Sequence, residues 1–296
     1  MTGLGPSARI DGIMTTSNTS RHIVLMTDFG TQDTYVGVMK GVIASIAPAN
    51  PILDLTHAIP QGDLLQTAYK LWQSVSYFPP ETIFVIVVDP GVGTKRRAIG
   101  VKWQDYYLIA PDNGLLSFLA ALEPFQAVHE LTNPAYHHQP VSTTFHGRDV
   151  FAPAGAHLAA GADLADFGKA VEDITQLELP PLTQPEPNIL TGEVIHIDGF
   201  GNAITSIGRL RTQAQGLSLE PWLKQLPMTD LPPADHVDLP TGMTLPLSPT
   251  FGAVPLGDPV AYLGSEQLLE LAINGGSAAD KLNLEIGAPI TLRFRG

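Results

Sequence analysis

Asp89 and Arg96 stand seven residues apart around the turn Pro90-Gly91-Val92-Gly93, directly after the unbroken apolar run Thr82–Val88. Such a β-branched run reads as a strand buried on both faces. In open α/β sheets, ligands bind just beyond the carboxyl ends of such strands. A carboxylate and a guanidinium held by a rigid turn there can face one another across a small polar pocket. Four further polar groupings fall at predicted strand ends or turns: Asp28 with Asp33, Asp112-Asn113, His146-Gly147-Arg148-Asp149 and Asp198-Gly199-Phe200-Gly201-Asn202. Asp, Asn and Gly serve turns for purely local reasons, so one grouping alone would mean little. Five together, four of them in one α/β region, point to a site. Gly91-Val92-Gly93-Thr94 fits neither phosphate-loop template, and Asp89 at its start would repel phosphate. The nine histidines contain no His-Glu-x-x-His pattern, so no metal centre is expected.

The elements that must position these residues follow from periodicity. His22–Met26 and Ile52–Leu55 read as short strands, and Tyr35–Ile46 and Leu64–Val75 carry helical spacing. With the Thr82–Val88 strand, this alternation argues for a mostly parallel sheet flanked by helices. Ile99–Trp103 and Tyr106–Ala110 suggest a hairpin, Leu115–Leu122 a short helix, and Val150–Ala160 an Ala-rich helix with Pro153 in its first turn. Pro180–Pro187 reads as a stiff connector. Beyond it, the short strands Gly192–Ile197, Ala203–Ile207, Met243–Leu247, Pro259–Leu263 and Pro289–Phe294 suggest a small antiparallel sheet or barrel. The expected fold class is therefore α/β, with an α/β domain over 21–179, a proline-rich linker over 180–188 and a β domain over 189–296. Residues 1–20, rich in Ser, Thr and Gly, are expected to be a disordered lead, or to lie upstream of a true start at Met14.

Composition removes several classes of function. A net charge of −13 and only three clustered cations, Lys95-Arg96-Arg97, argue against nucleic acid as a partner. The same acidity suits a small cationic substrate. Without cysteine there is no thiolate nucleophile or disulfide. No apolar run reaches the roughly 18 residues of a membrane span, so no membrane partner is expected and the expected location is cytoplasmic.

The ordered set Thr-Asp-Phe-Gly at 27–30, Asp33, Asp54-Leu55-Thr56-His57, Val-Asp-Pro-Gly-Val-Gly-Thr at 88–94, Pro-Asp-Asn-Gly at 111–114, Phe-His-Gly-Arg-Asp at 145–149, Asp-x-Phe-Gly-Asn at 198–202 and Asn274-Gly275-Gly276-Ser277-Ala278 resembles a family. It is that of the adenosine-forming S-adenosyl-L-methionine hydrolases, relatives of the adenosyl-fluoride and adenosyl-chloride synthases, and the resemblance spans roughly residues 22–296. It implies an N-terminal α/β domain, a C-terminal barrel-like domain, and a homotrimer with sites between neighbouring subunits. It also implies a catalytic set of Asp89, Arg96 and His146 around the attacking water, with no cofactor. Substrate binding would fall to Asp28, Asp33, Asp198, Asn202, Ser265, Asn274 and Gly275. The halogenating relatives carry Tyr at the positions of Asp89 and His146 and Ser at that of Gly147, which puts this chain on the hydrolase side. Gln61-Gly62 departs from the aromatic residue that the fluorinating relatives place near the ribose.

The residue types suit the chemistry. A sulfonium leaves as a neutral thioether without a general acid, so the protein must place a water. Arg96 would favour its hydroxide form, Asp89 would orient Arg96, and His146 would accept the proton. Asp33 and Asp198 suit an ammonium, Asp28 ribose hydroxyls and Asn202 an adenine edge. Simpler roles stand beside these. Asp28 would serve as a helix cap, Arg97 as the working arginine, Asp149 as an anchor for Arg148, and His157 as a packed helix residue. Rival functions are an adenosyl-halide synthase, a metal-dependent hydrolase with Asp28, Asp33, Asp89 and His146 as ligands, and a sensor that binds the sulfonium or adenosine without turnover.

Overall fold

The structure, a computed structural model, describes residues 20–220, 222–223 and 225–295. The expected lead over residues 1–20 lies outside the described residues except for Ser20.

The first half is built on strands β1 (Ile23–Thr27), β2 (Ile52–Thr56), β3 (Ile83–Val87), β4 (Ala98–Trp103), β5 (Tyr106–Pro111) and β6 (Ala127–Glu130). They form one sheet in the order β2-β1-β3-β5-β4-β6. β2, β1, β3 and β5 run parallel, and β4 is antiparallel to both its neighbours. β1 and β3 are buried along their whole length. Alternate side chains enter two different cores. Ile23, Leu25, Ile83 and Val85 pack with Met39 and Ile43 of helix α1 (Tyr35–Ile46). Val24, Met26, Phe84 and Ile86 pack with Leu71 of α2 (Leu64–Ser74) and Phe118 of α3 (Ser117–Leu122). Helix α2 starts at Asp63, whose carboxylate accepts the Gln66 N–H at 2.9 Å, an N-cap of the usual kind.

The chain goes from β1 outward to β2 and then back across β1 to β3. The strand order therefore reverses between β1 and β3, the place where doubly wound sheets leave a crevice. Asp28 follows β1 and Asp89 follows β3 by two residues. Because β4 runs backward, its start lies at the same edge, with Ala98 opposite Pro111. Topology thus brings Arg96 and Arg97 to the carboxyl ends of the parallel strands.

Helix α4 (Ala152–Ala159) is shorter than the sequence suggests, because residues Gly147–Phe151 form a π-helical turn ahead of it. In the second half, β7 (Thr183–Glu186), β8 (Ile189–Ile197), β9 (Ala203–Gly208), β10 (Leu210–Gln213), β11 (Gly216–Leu219), β12 (Thr229–Leu231), β13 (Ala234–Asp238), β14 (Thr244–Pro246), β15 (Pro259–Leu263), β16 (Leu268–Ile273) and β17 (Pro289–Phe294) are joined by one short helix, α5 (Ala278–Leu282). β14-β13-β17-β8-β9-β16-β15 make a barrel-like antiparallel sheet, and β10-β11-β12 a small second sheet. The proline-rich stretch expected as a stiff linker packs against the second half of the chain. Thr183–Glu186 pairs antiparallel with β8, and Leu182 is buried in the barrel core. Proline is tolerated there because β7 is an edge strand.

The two halves share a core. Trp222 lies 4.4 Å from Trp72 and 5.3 Å from Phe118, ring centre to ring centre, while its indole N–H donates to the Ser206 carbonyl at 2.9 Å. Full burial of such a ring contributes several kcal/mol, on the order of 3.

Candidate active site

The loop after β3 returns on itself. Thr94 Oγ1 donates to the Gly91 carbonyl at 2.7 Å and accepts the Arg96 N–H at 3.3 Å. Gly93 has φ +77°, and a Cβ there would stand 2.6 Å from the Thr143 carbonyl oxygen. Only glycine allows both the turn and this approach to the segment that carries His146. The Asn113 amide braces the strand end by donating to the Val88 carbonyl at 2.9 Å.

Within this frame Arg96 is clamped. Its Nε donates to both Asp89 oxygens at 2.9 Å, and its Nη2 donates to Asp89 Oδ2 and, at 2.8 Å, to His146 Nδ1. The two side chains of the ion pair are 11% and 5% exposed, low enough to exclude most solvent screening. Arg96 Nη1 has no partner among the described residues, so its N–H groups remain for a ligand. Arg97 points elsewhere, to Asp112 at 2.8 Å and Asp173 at 3.1 Å. Arg96, and not Arg97, is therefore the arginine that meets Asp89 and His146.

His146 caps the π turn, and such turns recur at functional sites. Asp149 fixes the loop from inside, accepting the Ser142 N–H at 2.8 Å and Arg148 Nε at 2.6 Å. Asp149 is fully buried and serves as an anchor. Burial, and then the Arg96 charge, push the His146 pKa below the ordinary value. A guanidinium only donates, so Nδ1 carries the lone pair and the imidazole is neutral. That lone pair accepts from Arg96, so the guanidinium is held by His146 as well as by Asp89.

Asp28 caps no helix; the residue ahead of α1 is Thr34. One Asp28 oxygen accepts the Gly62 N–H at 2.9 Å, tying the β1 end to the loop before α2. Asp33 is exposed at an open cleft of about 560 Å³ with Lys40, Asp54 and His57. His57 is buried, with Nδ1 2.9 Å from Thr27 Oγ1 and Nε2 3.0 Å from Asp54 Oδ1. His157 is a partly buried helix residue whose ring packs on Tyr136. Among the described residues no group of three or more His, Asp or Glu side chains is placed to hold a metal ion.

A second cluster sits in the other half. A cavity of about 1000 Å³ is lined by Asp198, Asn202, Ser265 and Gly275, together with Lys70 and His196. The Asp198 carboxylate accepts the N–H groups of Phe200 and Asn202 at 2.9 Å and the Asn202 side-chain amide at 3.0 Å. Asn274 is not among the lining residues; its amide donates to the Val254 carbonyl at 2.7 Å and holds the adjacent loop. Lys70, His196, Tyr262 and Glu270 were absent from the sequence reading, because nothing local to them signals a site. The structure thus separates the sequence-predicted residues into two groups: Asp28, Asp89, Arg96 and His146 at the sheet edge, with Asp33 in its cleft nearby in sequence, and Asp198, Asn202, Ser265 and Gly275 around the cavity.

Comparison with known proteins decides the family. The model of the SAM hydroxide adenosyltransferase N-terminal domain matches residues 23–168, and that of the C-terminal domain matches residues 192–291. The chain belongs to the SAM hydroxide adenosyltransferase family. Among members of known name, it is 39% identical to the (R)-S-adenosyl-L-methionine hydrolase of Thermus thermophilus over 92% of this chain and 99% of that one. It is 42% identical to the enzyme of the same name from Salinispora tropica, over 90% and 95%. The fluorinase of Actinoplanes sp. is more distant at 30% identity, over 91% and 96%. A Thermotoga maritima protein solved as an uncharacterized conserved protein superposes with a TM-score of 0.80 at 32% identity, covering 92% of this chain and all of that one. The α/β sheet with its barrel-like partner is thus shared with that protein.

Proposed function

We propose that this protein hydrolyses S-adenosyl-L-methionine to adenosine and L-methionine, taking the (R)-sulfonium that the names of its relatives specify. The observation that carries this reading is Arg96, held on two sides by Asp89 and His146 with Nη1 left free at the switch point of the sheet. Water held at Nη1 attacks the 5′ carbon of the sulfonium. The new C–O bond forms as the C–S bond breaks, and its electron pair goes to sulfur, giving a neutral thioether. The sulfonium charge leaves as one proton, so one H⁺ is released per turnover. The clamped guanidinium favours the hydroxide-like nucleophile, and a fixed in-line position supplies much of the acceleration. Gly147 supports hydrolysis over halogenation, because a Cβ there already meets Met39, Phe145 and Phe29 at 3.2–3.3 Å, leaving little room for a larger side chain.

Asp28, Asp33, Asp198, Asn202, Ser265, Asn274 and Gly275 bind the substrate in this reading, Asn274 by shaping its loop. The site is completed between subunits of a homotrimer. Two observations support that: the cavity lining includes none of Asp89, Arg96 and His146, and the cavity rim exposes Phe200 at 84%. The reaction needs no metal, since a divalent ion beside Arg96 would be repelled, and activity should survive excess chelator. A cytoplasmic location belongs to the same proposal and fits a cysteine-free chain; among the described residues no helix is long and apolar enough to cross a membrane. Turnover in heavy-oxygen water tests the main reading. The label is expected in the 5′-hydroxyl of adenosine; a halogenated nucleoside formed in the presence of halide, or binding without turnover, would overturn it.

A further inference from the structure

Lys70 is a cation without a counter-ion at a cavity wall. It projects from α2, lines the cavity that holds Asp198 and Ser265, and makes no ion pair with any described residue. Arg21, Lys40, Arg96, Arg97, Lys102 and Arg148 each have a carboxylate partner. Among the described residues the only polar contact of Lys70 Nζ is His196 Nε2 at 3.5 Å. The protonation of that histidine follows from its neighbours. Gln66 spends its amide N–H on the Ile195 carbonyl at 2.7 Å, so its oxygen faces His196 Nδ1, which must carry the proton. His196 Nε2 therefore presents a lone pair, and burial keeps the ring neutral, with a pKa down at about 4. It can orient the ammonium but cannot neutralise it. Burial lowers the Lys70 pKa and the field of Asp198 works against that shift, yet among the described residues no Asp198 oxygen forms an ion pair with Lys70. A half-buried ammonium left in this state favours an anion in the adjoining space.

We propose that Lys70 is the carboxylate receptor of this cavity and selects sulfonium substrates that carry a free α-carboxylate, with His196 as its positioning residue. The assignment rests on the reading under Proposed function and deepens it. An amino-acid zwitterion would lie with its ammonium toward Asp198 and its carboxylate toward Lys70. In a chain of net charge −13, a local cation of this kind is what lets an anionic group enter.

The test compares two substrates, S-adenosyl-L-methionine and its decarboxylated analogue, on wild type, Lys70→Met and Lys70→Arg. Loss of a charged hydrogen bond corresponds to about tenfold or more in affinity. Wild type should show a KM about tenfold lower for the carboxylated substrate. Lys70→Met should lose that preference by raising KM for the carboxylated substrate alone, and Lys70→Arg should restore part of it. Equal impairment of Lys70→Met on both substrates, or no preference in wild type, would overturn the assignment and leave the hydrolase reading intact. Failure of wild type to cleave either sulfonium would overturn both. Thermal unfolding of each variant separates lost recognition from lost fold.

Discussion

The polar groups of the two halves are held in opposite ways. At the sheet edge, Asp89, Arg96 and His146 hold one another across 50 residues of sequence, and the guanidinium keeps only Nη1 for a ligand. Around the cavity, Asp198 and Asn202 are held by their own five-residue loop, and Lys70 is barely held at all. The first arrangement fixes one group in one orientation, which suits a step where interactions must be strongest in the transition state. The second leaves ligand-sized space with charges at its wall, which suits ground-state binding. In the proposed reading the nucleophile is held wholly in the first frame, while recognition is divided between Asp28 and Asp33 of the first half and the cavity of the second.

The hardest blow to the comparison is Arg96→Ala. It should lower kcat by about 10²–10³-fold, as expected when a preorganised donor is lost, while calorimetry still detects substrate binding. Arg96→Lys should recover little, because an ammonium cannot reproduce the fork to Asp89 and His146. If binding disappeared with kcat, Arg96 would belong to recognition as well. Asp198→Ala should do the reverse, raising KM about tenfold with kcat changed little.

Subunit mixing sharpens the same division. Asp89→Ala and Asn202→Ala proteins, each inactive or weak alone, should regain about a quarter of wild-type activity after random exchange, if every site pairs the sheet edge of one chain with the cavity of the next. Absence of recovery despite demonstrated exchange would place both halves of each site in one chain.

Two smaller effects concern protons. The Arg96 clamp needs neutral His146, whose pKa burial and Arg96 hold below 6.5. The acid limb of the kcat profile should therefore have its midpoint below 6.5, and activity should fall as pH drops through it. In the other half, His196 sits near 4 rather than 6.5. Between those values the unfolded chain binds a proton that folded His196 refuses, so stability falls as pH drops from 6.5 to about 4. His196→Gln should flatten the dependence of Tm on pH in that window.

The sheet edge was largely legible from sequence because its signals are local. Apolar runs end in Asp28 and Asp89, and Tyr35–Ile46 has clean helical spacing that matches α1. The π turn at Gly147–Phe151 was not legible, since nothing in those five residues separates it from the start of an α-helix. Leu268–Ile273 was missed as a strand because Leu-Leu-Glu-Leu-Ala-Ile lacks the β-branched, alternating texture of its neighbours. In Pro180–Pro187 the prolines hide an edge strand, because proline lacks the N–H by which a strand is usually recognised. The Gln66–His196–Lys70 chain was invisible for a different reason. His196 lies 126 residues from Lys70 and 130 from Gln66, and it becomes their neighbour only where α2 packs against β8.

The Asp89–Arg96 pair carries one more consequence. A bare guanidinium about 4 Å from a sulfonium would oppose it by roughly 4 kcal/mol at an effective dielectric near 20. Paired with Asp89 and flanked by a neutral imidazole, Arg96 contributes hydrogen-bond donors while the trio as a whole is electroneutral. In the proposed reaction a cation can therefore approach the guanidinium that holds the attacking water without meeting a net positive charge.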